Sequence, residues 1–201
     1  MRVSVNEIQT AIFKACIAVG LPSGISQDAS HAARHVYPQY MGSMQPFVDA
    51  ITAVDRKCSN NFNISQAVER TFKSIVFNRK LSSLYTAPTI CDQIIVNNIH
   101  NPDHSPITLL DLDVPTIIIF EIMLITKYLN NNICVSWSIG QGDNMQGVCR
   151  SGNNKFVHGN CKELFTIRNT TLTVNVIKYT SELNNLLKDN ADCLTNFNVD
   201  K

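Results

Sequence analysis

The sequence predicts an α+β fold with a helical N-terminal half, a buried central helix and a mainly antiparallel C-terminal sheet. Three observations lead there. The chain opens on two amphipathic stretches, VSVNEIQTAIFKACIAVG and QDASHAARHV, set around the Gly/Pro corner LPSGIS. Past the midpoint lies a nearly uninterrupted apolar segment, VPTIIIFEIMLI. Beyond it, ICVSWSI, KELFTIR and TLTVNVIKY alternate apolar and polar residues as half-buried strands do.

Ser4 followed by Glu7 is a capping-box pattern, in which hydroxyl and carboxylate satisfy N–H groups that a helix start leaves without partners. A helix is therefore expected from about Val5, with Ile8, Ile12, Ala15, Cys16 and Val19 on its buried face. Gly20 ends it and Pro22 prevents its continuation. A second helix is expected from Ser26 or Gln27, its Ala29, Ala32, Ala33 and Val36 forming a small-residue face that admits another backbone closely. Pro38 to Pro46 reads as a turn before a short helix carrying Phe47, Ile51 and Val54. Ser65 offers an N-cap for a helix through QAVERTFKSIVFNRKL, with Val68, Phe72, Ile75 and Val76 on one face and Arg79 and Lys80 suiting its C-terminal dipole.

LSSLYTAPTICDQIIVNNI, rich in β-branched residues and punctuated by Pro88, reads as one or two strands, Ile94 to Ile99 being the better. HNPDHSP is a loop by composition. Asp113 before Pro115 fits the start of a central helix near 114 to 129, and Lys127 fits its end. Its isoleucines leave a buried strand as the competing reading of the first half. The sheet is expected from about 133 to 180, with SELNNLLKDNADCL as a terminal helix. One domain over 1–201 is expected, helical to about 80 and mixed with sheet from about 81.

At 201 residues, with 44% hydrophobic side chains, the chain is long enough for a substantial core. Net charge is +1 and like charges form no run, so electrostatic binding to nucleic acid or to an acidic membrane surface is not indicated. The apolar run Ile117 to Ile125 is broken by Glu121 and is shorter than the roughly 20 residues a membrane helix needs. The N-terminus enters an amphipathic helix instead of a secretory signal, so a cytoplasmic, soluble protein is expected. Seven cysteines at irregular spacing fit a reducing compartment, where the sequons at Asn63 and Asn169 carry no meaning.

Four groupings have the residue types of a binding site without making a complete one. Gly140, Gly142 and Gly147 follow a strand, but their spacing fits neither the dinucleotide nor the P-loop pattern, and a hairpin is favoured. His31 and His35 stand four apart on one helix, as chelation requires, without an identifiable third ligand. Cys149, His158 and Cys161 lack zinc-knuckle or zinc-ribbon spacing, and His100, Asp103 and His104 sit in a polar loop. Neither a metal nor a cofactor is expected.

Glu121 is more informative, because it stands inside IIIFEIMLI. An unpaired buried carboxylate is costly, so it must protonate, lie at a boundary, or reach Arg34, Lys127 or a backbone donor. The functional version is a general acid or base of raised pKa. Glu121 and Asp92 are accordingly the candidate catalytic residues, and Arg34 and Arg150 the candidates for holding a ligand carboxylate. Trp137 is read as core.

Three stretches, SVNEIQTAIFKACIAVGLPSGISQDASHAARHV, SSLYTAPTICD and DVPTIIIFEIML leading to ICVSWS, resemble a proteobacterial family of uncharacterised proteins, a domain of unknown function. That family's Gly- and Ala-rich C-terminal end with a Ser-Arg pair is replaced here by NNLLKDNADCLTNFNVDK. The opening helix pair is also similar to the N-terminal segment of the malate/lactate dehydrogenase-like enzymes, the sulfolactate dehydrogenase group outside the Rossmann class. The resemblance implies an active-site histidine, in Gly-Ser-His-Gly, after the second helix. This chain has MGSMQPF, so Gly42 and Ser43 match and Met44 stands at the histidine's place. Met cannot transfer a proton, and the resemblance therefore implies a shared scaffold without dehydrogenase chemistry.

Two functions follow as expectations. The first is a protein that binds a small metabolite, such as an organic acid or amino acid, or a partner chain, without catalysis. The alternative is an enzyme acting on a small organic acid through Glu121 or Asp92. A homodimer is expected from the small-residue second helix and the apolar central helix.

Overall fold

The structure is a computed structural model and describes residues 3–37, 44–56, 69–70, 75–77, 81–100, 107–126, 129, 132–139, 143–150, 155–158 and 170–177. The capping box forms as the sequence predicts. Glu7 N–H donates to Ser4 Oγ at 3.2 Å and Ser4 N–H donates to Glu7 Oε2 at 2.7 Å, opening α1 (Val5–Ala18). At its end Gly20 takes φ +86°, a left-handed conformation that a side chain would strain. Gly20 N–H reaches the Ile17 carbonyl and Leu21 N–H the Cys16 carbonyl, the paired bonds of a Schellman ending. Leu21 and Cys16 are both buried, so the turn is also sealed by packing.

Helix α2 (Ser23–Val36) starts directly after Pro22, a turn earlier than expected. Ser26 Oγ is spent on the Pro22 carbonyl at 3.0 Å, inside the helix instead of at its cap. Ser26, Ala29, Ser30, Ala32, Ala33 and Val36 are buried, and this small face lets α2 pack on α1, α4 and α5. Helix α3 (Gln45–Asp55) carries Pro46 in its first turn and buries Phe47 and Ala50. Phe47 stacks on Phe120 with ring centroids 6.1 Å apart.

Two expected elements are replaced. The helix expected over QAVERTFKSIVFNRKL gives way to strands β1 (Glu69–Arg70) and β2 (Ile75–Phe77), while its N-cap Ser65 lies outside the described residues. Ile75, Val76 and Phe77 are good strand formers, and parallel pairing with β3 (Ile107–Leu112) supplies the ladder partner that local periodicity does not reveal. The strands expected around Ile94 to Ile99 are instead part of one helix, α4 (Ser83–His100). Leu84, Ala87, Ile90, Cys91 and Ile94 are buried along it at helical spacing, which overrides β-branched propensity. Pro88 lies early in α4, where it forfeits a single bond to the Leu84 carbonyl.

Helix α5 (Pro115–Ile125) is the central helix, slightly shorter than expected, with every residue from Pro115 to Met123 buried. It packs on α2, α3, α4 and strand β7 (Thr170–Ile177). The remaining strands are β4 (Asn132–Ile139), β5 (Asp143–Arg150) and β6 (Lys155–His158). The sheet order is β1-β2-β3-β7-β4-β5-β6, antiparallel except between β2 and β3. Helix α4 is the crossover that this parallel pair requires. The expected strand KELFTIR and the terminal helix SELNNLLKDNADCL lie outside the described residues.

One carboxylate ties these layers together. Asp113 Oδ1 accepts from Ser83 N–H at 2.8 Å, Ser83 Oγ at 2.5 Å and Val114 N–H at 2.6 Å, while Asp113 N–H donates to the Leu81 carbonyl at 3.2 Å. It thus serves the N-terminal ends of α4 and α5 at once, where unbonded N–H groups and the helix dipoles favour a negative charge. Asp113 is only 4% exposed, so Asp113→Ala should cost about 3 kcal/mol, with Asp113→Asn milder because it keeps the Oδ1 acceptor. Thermal melts of the two variants beside the parent check this ordering.

Candidate functional site

The crossing of α2 with α4 and α5 gathers the chemistry that the described residues offer. Glu121 comes from the middle of α5 and is 7% exposed. Desolvation raises its pKa from 4.5 to about 8, and the negative Asp28 on α2 adds to the rise. Among the described residues nothing donates a hydrogen bond to its carboxylate. At neutral pH Glu121 is therefore a buried, protonated acid.

Asp28 is exposed, and its own pKa is raised by partial desolvation and by Asp92 of α4, with His31 opposing the shift. Asp28 thus acts electrostatically on Glu121 and is itself acted on by Asp92, the two carboxylates that the sequence singled out. The sequence gives no sign of this link, because Asp28 is one polar residue on the solvent side of an amphipathic helix. Only the packing of α2 over α5 exposes its role.

Among the described side chains, the other candidates besides His31 show no link to these carboxylates. Arg34 is exposed and donates from Nη1 to Gln9 Oε1 at 3.2 Å, toward α1, so its guanidinium is engaged away from Glu121. Arg150 lies on β5 opposite Lys155, and its side chain is outside the described residues, as is Lys127. His31 is exposed and His35 half-buried on α2. Cys149 and His158 lie on neighbouring strands, paired with Phe156 and Gly147, while Cys161, Asp103 and His104 fall outside the described residues. Among the described residues no three His, Cys, Asp or Glu side chains converge as metal ligands. Gly140 and Gly142 lie outside the described residues, between the antiparallel partners Ile139 and Asp143.

Gly42 and Ser43 also lie outside the described residues, but Met44 is seen at the head of α3, half-buried against the core. It packs there as an apolar residue. Cys16 is buried, and desolvation pushes its thiol up to about 11, which removes it as a nucleophile at neutral pH. No helix among the described residues is long and apolar enough to cross a membrane.

The Glu121 proton makes folding pH-dependent. Its pKa is higher folded than unfolded, so the stability it contributes is complete below about 4.5 and is lost as pH rises to about 8. Across that window the difference in unfolding free energy between the parent and Glu121→Gln should change by up to about 1.4 kcal/mol per pH unit, in the variant's favour as pH rises. Denaturant titrations at pH 5, 6.5 and 8 measure it; a constant difference would place the carboxyl in water.

No family model matches the chain, and no curated protein sequence matches it. Solved structures do. Malate dehydrogenase from Entamoeba histolytica is 11% identical with a TM-score of 0.56, the match covering 75% of this chain and 46% of the enzyme. Malate dehydrogenase from Pyrococcus horikoshii OT3 is 8% identical at TM-score 0.57, covering 78% and 49%. Sulfolactate dehydrogenase from Methanocaldococcus jannaschii is 9% identical at TM-score 0.54, covering 94% and 55%. The chain spans about half the length of these enzymes, and at such identities what it shares with them is the fold.

Proposed function

We propose that this chain binds a small organic acid or amino acid on a malate/sulfolactate dehydrogenase-like scaffold and performs no dehydrogenation of its own. The likeness of its fold to dehydrogenases of two small acids is the observation that carries the reading. Met44, half-buried against the core, supports the second half of it, since the resemblance of the opening helices puts a histidine at this place. The likeness to the proteobacterial family of uncharacterised proteins is compatible with this reading and adds no activity to it.

A second reading is favoured by Glu121 itself. A dry carboxyl that holds its proton at pH 7 is suited to general acid chemistry on a small organic acid, with Asp92 as its counterpart. Arg34 would have to leave Gln9 to hold a substrate carboxylate, and Arg150 would come from the sheet. The protein acts, in either reading, as a cytoplasmic homodimer. The small face of α2 and the apolar α5 are both spent inside the chain, so the dimer would use other surface, where Ile17, Val48 and Val96 stand exposed.

Malate, sulfolactate, lactate and common amino acids, added singly at millimolar concentration, should include at least one that raises the melting temperature by several degrees. A ligand at about 100 times its Kd adds about 2.7 kcal/mol, or some 5 to 10 °C for a chain of this size. Malate should not be oxidised with NAD as acceptor. Indifference to the whole panel defeats the binding reading, and turnover lost in Glu121→Gln with the fold intact establishes the second.

A further inference from the structure

We draw no further inference here: the strongest candidate, the buried Ser82 Oγ and Asp113 Oδ2 at the shared head of α4 and α5, which have no partner among the described residues, belongs to the Asp113 joint already described, and nothing in the structure shows a ligand that would meet the two atoms.

Discussion

The Asp113 carboxylate is the constraint on which the helical layer depends. Two helices begin side by side in a buried region, and each start leaves N–H groups that water cannot reach. A single oxygen, Oδ1, answers Ser83 and Val114 together, and Ser83 Oγ reinforces the joint by accepting from Val114 N–H at 3.0 Å. Because Asp113 also terminates β3 and bonds Leu81, this joint sets α4 and α5 relative to the sheet. Glu121 owes its burial to that placement, since α5 is held at one end and packed against α4, α2 and α3. The joint is not fully satisfied: Asp113 Oδ2 and Ser82 Oγ are buried with no partner among the described residues. Their desolvation is a standing cost that the surrounding apolar packing offsets.

What could be read from the sequence was local. The first helix pair is specified by short-range rules, namely Ser4 with Glu7, Gly20 with a left-handed turn, and Pro22 after it, and each appears as the residues imply. Central helix α5 was legible because its apolar character is nearly continuous. Segments whose state depends on distant partners were not. Ile90, Ile94, Ile95 and Val96 favour a strand by propensity, yet the stripe from Leu84 to Ile94 that faces α5 makes them helical. Ile75 to Phe77 sits in a run with helical spacing, and only the edge offered by β3 turns it into a strand.

The site divided in the same way. Glu121 was conspicuous as the one charge inside IIIFEIMLI, and it is buried. Asp28 had no sequence signal, because proximity between carboxylates on different helices is a product of tertiary packing. Arg34, one of the partners the sequence offered for Glu121, instead donates to Gln9, since residue identity does not say which way a long side chain turns. The shared dehydrogenase fold does not resolve this further: at 8 to 11% identity it carries backbone and not side-chain chemistry.

The strand order has a bearing on how the protein is made. Strand β7, last of the described strands in chain order, lies between β3 and β4 and pairs antiparallel with both. Until residues 170–177 leave the ribosome, the β1-β2-β3 ladder and the β4-β5-β6 meander each present a raw edge. A nascent or clipped polypeptide that stops short of this strand would hold two half-sheets with no common member, each able to recruit the edge of another molecule. Chaperone engagement during synthesis is thus most needed in the interval between β6 and β7.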